Sequence, residues 1–263
     1  IKGASFVCTQ MRVGMLEARK WDEQIPLKYN VIGQETTGPG GMMKALRTIP
    51  VILDICRDIE ELAPDAWLLN FTNPAGIITE AVLKHSHVKS VGLCNSPISF
   101  QKWLAQFFEL PMNRIYTEFV GINHLHWVSE VLVDGRSQLD YLIEYPQKYT
   151  ASNVPYQDWS YPFLRSLKAI PSYYLSYYYM TGQMLQEQLQ AVQTVGSRAE
   201  VVKRVEEELF ELYREPSLNV KPRQLEQRGG AYYSEAAVRL MNSLHNDTRD
   251  IQTLNVKNGS IIP

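Results

Sequence analysis

Two similar segments in the first half of the chain constrain its fold more than anything else: WLLNFTNPAGIITEAVLKH from Trp67 and VGLCNSPISFQKWLAQF from Val91. Each runs from a short apolar stretch into an Asn-Pro or Ser-Pro pair and then an amphipathic segment. Asn73 and Ser96 are helix-capping residue types, and Pro74 and Pro97 suit a first helical turn. The pattern predicts helices reaching about Lys84 and Leu110, after short apolar runs at 66–70 and Val88–Leu93. Strand-loop-helix units in tandem imply an α/β fold with a parallel sheet. Such sheets bind ligands beyond the carboxyl ends of their strands, near helix N-termini. Asn73, Cys94 and Asn95 fall on that rim.

Upstream, the apolar spacing of Leu46, Ile49, Leu53, Cys56 and Ile59 predicts a helix over 41–62, kinked or divided at Pro50. Cys56 belongs to its buried stripe, and Cys8, in an apparent strand, reads as a core residue as well. After residue 115 the character changes. TEFVGINHLHWVSEVLVDGRSQL is rich in strand formers and has Asp134-Gly135 as a hairpin turn. The remainder is mostly helical. Ser197 to Glu200 form a capping box for a helix burying Val201, Val202, Val205, Leu209 and Leu212, and another helix begins near Ser234.

Composition narrows the function classes. The 263 residues are 45% hydrophobic and carry a net charge of -2 with both signs interspersed, which favours a small-molecule partner over nucleic acid or a membrane surface. Three widely spaced cysteines suit a reducing, cytoplasmic compartment better than a disulfide framework. No apolar run approaches the roughly 18 residues a membrane span requires.

The candidates for chemistry are few. Cys94 is followed thirty residues on by GINHLHW, which places His124 and His126 in a predicted strand. Without paired ligand spacings, the set fits either packing or a metal that keeps positions open for substrate. The loop YNVIGQETTGPGG is either an ordinary connection or a backbone that approaches a ligand, with Glu35 as its polar partner. Tyr173, Tyr174, Tyr177, Tyr178 and Tyr179 lie within seven residues, and 174, 177 and 178 share a helical face. Arg198 falls in the first turn after the capping box, where free N–H groups and the helix dipole suit an anion. Arg12 and Arg19 are weaker candidates of the same kind.

These segments together resemble glycoside hydrolase family 4, and within it the bacterial members that act on 6-phospho-β-glucosides. The likeness runs through TQMRVGMLEAR, GQETTGPGG, NFTNPAGIITEAV, GLCNSPI, GINHLHW, IPSYYLSYY and KPRQLEQRGGAYYS, in that order. The resemblance implies a Rossmann-like parallel sheet over residues 1–115, the remainder of an NAD-binding domain. A mixed α+β, largely helical catalytic domain over 116–263 would follow. Family members begin with a glycine-rich turn for the NAD pyrophosphate and continue with further helices; neither occurs in this chain, so a fragment is expected and no residue is assigned to NAD. Arg228-Gly229-Gly230 matches the family without an assigned role.

The resemblance also implies a chemistry that dispenses with the usual pair of carboxylates. Hydride moves from C3 of the sugar to NAD, a base removes the C2 proton, the C1 substituent is eliminated, water adds, and the hydride returns. A divalent metal, typically Mn2+, holds the C2 and C3 oxygens. Carried over by position, the metal ligands are Cys94 and His124, with His126 left to packing. Tyr174 is the base, and Glu35 is the carboxylate that raises its basicity. Asn73, Asn95, Arg19 and Arg198 bind substrate. Asn95 stands where α-specific relatives have an aspartate able to donate a proton, which favours β-linked substrates such as cellobiose 6-phosphate. A homo-oligomer, dimer or tetramer, is expected. The alternatives are an NAD-dependent 2-hydroxy acid dehydrogenase and an inactive metal-binding fragment.

Overall fold

The computed structural model describes residues 1–145 and 158–259. Its first part runs β1 (Phe6–Thr9), α1 (Met15–Leu27), α2 (Gly38–Leu62), β2 (Trp67–Asn70), α3 (Ala75–His85), β3 (Lys89–Gly92) and α4 (Asn95–Phe107). A second group of strands and helices follows: β4 (Ile115–Ile122), β5 (Leu125–Val133), β6 (Arg136–Ser137), α5 (Leu139–Glu144), α6 (Tyr161–Leu167) and β7 (Ile170–Pro171). The rest is α7 (Ser176–Tyr179), α8 (Thr181–Thr194), α9 (Arg198–Tyr213), α10 (Gln224–Arg228) and α11 (Tyr233–Asn246).

Strands β1, β2 and β3 form a parallel sheet in that order, with Leu68 opposite Val7 and Ser90. Alternation along β2 sends neighbouring leucines to opposite faces. Leu68 packs with Ile52, Cys56 and Ile59 of α2 and Ile78 and Val82 of α3. Leu69 packs with Val91, Ile98 and, on α11, Ala236 and Leu240. Both leucines are fully buried, each burial contributing about 1.5–3 kcal/mol. Helices on both faces are what a parallel sheet requires, and the mixed α/β class expected from the tandem units is the one observed. Gly92 permits the close approach of β3 to α3, because a Cβ there would lie 2.1 Å from Thr79 Oγ1.

A second, antiparallel sheet joins β4, β5 and β6, with β7 on the other side of β5. Pairing passes from Glu118–Glu130 to Phe119–Val128, leaving Ser129 as an extra residue on β5. This bulge lets Val128 and Val131, three positions apart, both enter the core. Asp134 and Gly135, both with positive φ, make the predicted two-residue turn into β6.

Several expectations need correction. Helix α2 begins at Gly38 and passes unbroken through Pro50, and Leu46 is 64% exposed. Leu46 and Pro50 share the outer face, so the carbonyl that loses its partner to proline is on the wet side. The buried stripe of α2 instead starts with Gly40 and Gly41 and continues through Lys44, Ala45 and Thr48. Cys8 lies in β1 as expected but is exposed. Tyr174 is buried while Tyr178 is 68% exposed, because Tyr173–Leu175 form a 3-10 turn whose tighter winding breaks the shared face. Among the described residues no helix is long and apolar enough to cross a membrane.

Candidate functional site

Cys94 follows β3 and is itself the N-cap of α4, a place the sequence pattern gave to Ser96. Its sulfur accepts from the Ser96 N–H at 3.5 Å and lies 3.5 Å from Ser96 Oγ. The helix N-terminus favours negative charge at that position. His124 comes from the other sheet. It is not in a strand: Ile122 pairs with Leu125, so Asn123 and His124 are the two-residue turn between β4 and β5. Its φ of 63° is left-handed, a conformation that costs a non-glycine residue about 1–2 kcal/mol and often marks a functional position.

The turn carries the imidazole inward until Nε2 is 3.6 Å from Cys94 Sγ. The opposite nitrogen, Nδ1, is 3.0 Å from Thr36 Oγ1. Burial pushes the imidazole down to about 3, so the ring is neutral at physiological pH. His126, by contrast, packs edge-on against Phe119.

Tyr174 stacks on the His124 ring, with centroids 3.7 Å apart and planes 13° from parallel. Burial first, then neighbouring negative groups including Glu35, hold its phenol well above the ordinary tyrosine value. Tyr173, its neighbour, points its hydroxyl to Ser96 Oγ at 2.6 Å. The two tyrosines therefore have different surroundings: 174 lies on the His124 ring, whereas 173 reaches α4.

Glu35 is held by three cations, Arg12, Arg19 at 3.0 Å and Lys44 at 2.6 Å. Burial alone would raise its carboxyl; Arg19, Lys44 and Arg12 outweigh that and hold it well below the usual carboxylate range. Lys44 is pushed down to about 8 by burial, against the pull of Glu35. Neither Lys44 nor the strength of the Arg12 contact was legible in the sequence. The signal for Lys44 was its place at i and i+4 with Thr48 in the stripe that continues as Ile52. Gly33 and Gly40 of the loop serve packing, while Gly38, at a φ of 61°, borders a cavity beside His124. A Cβ on Gly33 would lie 1.7 Å from the Glu23 carbonyl oxygen, and one on Gly40 2.4 Å from that of Gln34.

The remaining candidates ring this centre. Helix α3 starts after Pro74, and Asn73 Oδ1 accepts from the Ala75 N–H at 3.3 Å. Asn95 Nδ2 donates to the Ala231 carbonyl at 3.1 Å, just beyond Arg228-Gly229-Gly230. Arg198 opens α9, but the N–H groups beside it are not free: Ala199 N–H donates to Glu23 Oε2 at 2.7 Å and Ser197 N–H to Glu200 Oε2 at 2.8 Å. An anion there would meet the guanidinium, whose Nε is buried without a hydrogen-bond partner. His124, Tyr174 and Thr36 also line a cavity of about 970 Å³ that extends past Tyr177 to Gly76 of α3.

The donor pair suits a divalent ion. The sulfur and the ring nitrogen, 3.6 Å apart, are close enough to bind one ion together. Among the described residues no group of three or more His, Cys, Asp or Glu could hold a metal, so further ligands would come from a bound molecule. Oxygen ligands from a sugar would suit manganese.

A parallel α/β layer whose carboxyl edge carries a thiol, facing an imidazole from the turn of an antiparallel hairpin and a phenol from a 3-10 turn, defines an α/β protein with an edge-of-sheet site. Residues 1–110 match the family 4 glycosyl hydrolase domain and residues 119–263 the family 4 glycosyl hydrolase C-terminal domain, and the chain belongs to that family. It is 52% identical over 99% of its length to a probable 6-phospho-beta-glucosidase of Bacillus subtilis, covering 60% of that protein. It is 43% identical over 97% of its length to the 6-phospho-beta-glucosidase of Escherichia coli, covering 58%. Its structure is similar to that of the 6-phospho-beta glucosidase from Thermotoga maritima with manganese, NAD+ and glucose-6-phosphate. The TM-score is 0.87 at 36% identity, over 97% of this chain and 59% of that one. The chain therefore spans about three fifths of the length of these relatives.

Proposed function

We propose that the intact protein hydrolyses 6-phospho-β-glucosides, with NAD and a divalent metal such as Mn2+ as cofactors. The observation that carries this reading is the meeting of half-buried Cys94 with buried His124 and Tyr174, in a chain so similar to 6-phospho-beta-glucosidases. Cys94 Sγ and His124 Nε2 hold the metal. When bound, NAD would supply a hydride acceptor and donor for C3, and the metal would supply Lewis acidity beside Tyr174 and the sugar oxygens.

Tyr174 removes the C2 proton through its phenolate oxygen. Burial opposes that charge, and Arg19, whose field reaches Tyr174, works in its favour. Glu35 is the counter-charge that lets Arg19, Lys44 and Arg12 gather beside the tyrosine, and its own field adds to the basicity of the phenolate. Asn73 and Asn95 bind sugar hydroxyls, and Arg19 and Arg198 bind substrate, with the 6-phosphate at Arg198. Asn95 has no acidic proton to give a leaving group, which supports β-linked substrates.

The division at residues 115 and 116 into a nucleotide-binding and a catalytic part belongs to the same proposal. It is supported by the change from parallel to antiparallel pairing between β3 and β4. A cytoplasmic location and a homo-oligomeric state complete it. The test is release of phenol from an aryl 6-phospho-β-glucoside by the intact protein, expected only with both NAD and Mn2+. Equal hydrolysis of the unphosphorylated glucoside, activity surviving exhaustive chelation, or net accumulation of NADH would overturn it.

A further inference from the structure

Thr36 and Gln34 belong to the GQETTG loop, and neither has a part in the chemistry above. Both are buried, at 8% and 7% exposure. The Gln34 side-chain oxygen accepts from two backbone donors, Thr36 N–H and Thr37 N–H, the latter at 3.1 Å, so it is fixed as an acceptor. The Thr36 hydroxyl lies 2.7 Å from that same oxygen. A hydroxyl has one proton, and here it is directed at an atom that has none to offer in return. Thr36 Oγ1 therefore meets His124 Nδ1, 3.0 Å away, with a lone pair.

A neutral imidazole carries a single N–H. If Thr36 can only accept, that N–H is on Nδ1, and the unprotonated lone pair is on Nε2, the nitrogen facing Cys94. We propose that Gln34 and Thr36 are positioning residues that lock His124 as its Nδ1–H tautomer and so hold Nε2 ready for the metal. The inference rests on the metal reading of Cys94 and His124 and deepens it. An unconstrained neutral imidazole favours the proton on Nε2, the arrangement that would block the ligand position. The loop removes that competition before any ion arrives. Partners of this kind commonly change metal affinity by about 10- to 100-fold when removed.

The test is long-range 15N NMR of the histidine rings in the metal-free intact protein, joined to Mn2+ titration followed by electron paramagnetic resonance. Wild-type His124 should show a protonated Nδ1 and a bare Nε2. Thr36→Val, which keeps the shape and removes the acceptor, should shift the proton toward Nε2 and weaken Mn2+ binding about tenfold or more. Thr36→Ser should restore both. An Nε2–H tautomer in the wild type, or Mn2+ affinity of Thr36→Val within twofold of wild type, would overturn the lock while leaving the metal site standing. Failure of the wild type to bind Mn2+ would overturn the metal reading and the lock with it. The wild-type tautomer decides the question by itself if Thr36→Val does not fold.

Discussion

The imidazole of His124 lies flat on the ring of Tyr174, 3.7 Å between centroids, so a proposed metal ligand and a proposed base share one face-to-face contact. Each ring fixes the other's plane. Substituting the hydroxyl alone therefore separates chemistry from positioning. Tyr174→Phe should keep the stack and lose turnover by roughly a hundredfold or more, with KM changed little. Steady-state kinetics on an aryl 6-phospho-β-glucoside checks this, and turnover near wild type would remove Tyr174 from the role of base.

Cys94 contributes the thiol, and the cap geometry of α4 survives replacement by another capping residue. Cys94→Ser should leave the fold intact while Mn2+ affinity falls on the order of tenfold or more. Titration by electron paramagnetic resonance is the measure. Unchanged affinity would mean that the sulfur is not a ligand.

Glu35 gives the site a pH signature. Its folded value lies below the ordinary carboxylate value of about 4.3, so the folded state holds its charge more strongly than the unfolded chain does. The resulting stability is present above that ordinary value and is lost as the pH falls below it toward the folded value. Glu35→Gln should cost about 3–5 kcal/mol at pH 7, because Lys44 and Arg12 lose their partner and Arg19 is left with Glu23 alone. The gap to wild type should narrow between pH 4.5 and pH 3 in urea denaturation. A gap constant with pH would show that the ion-pair cluster is not what the substitution removes.

Arg198 separates phosphate recognition from the rest. Its Nε is buried without a partner, and burial, then the neighbouring Arg19, lowers its affinity for its proton. A dianionic phosphate relieves both. Arg198→Met should raise KM for the phosphorylated substrate about 10- to 100-fold, the worth of a hydrogen bond to a charged group. Equal effects on phosphorylated and unphosphorylated glucosides would place the phosphate elsewhere.

Packing between β3 and α3 offers a check on the fold alone. Gly92→Ala should destabilise by about 1–3 kcal/mol because the new Cβ meets Thr79. Combining it with Thr79→Ala should cost less than the sum of the two single changes, read from urea midpoints. Strict additivity would show that the clash is not with that side chain.

The parallel layer was legible because its signals are local: an apolar run, a turn residue and a helical stripe repeat within thirty residues, and Leu68 and Leu69 need only alternation to find opposite faces. The site was legible in part. Cys94 could be placed on the rim from the end of β3, but its role as the cap could not, since Ser96 is the commoner capping type and stands two residues later. His124 was misplaced in a strand because GINHLHW keeps its alternation through the turn, and Asn-His lacks the glycine that normally announces one. Thr36 was invisible, and Lys44 showed only as a place in the α2 stripe, for a different reason. Their partners, His124 and Glu35, are identified by distance in space, and a loop threonine or a helical lysine carries no mark of it.

The bulge at Ser129 sets the direction in which the β4–β5 hairpin points. The pairs nearer the turn run in one register and those beyond it in another, and the core holds the two parts through Val128 and Val131 on either side of the bulge. The tip is therefore a pointer whose bearing is adjusted five residues from the imidazole it carries. Deleting Ser129 would remove no reactive group yet turn that pointer away from Cys94, so the alignment of the site is inherited partly through a serine with no chemistry of its own.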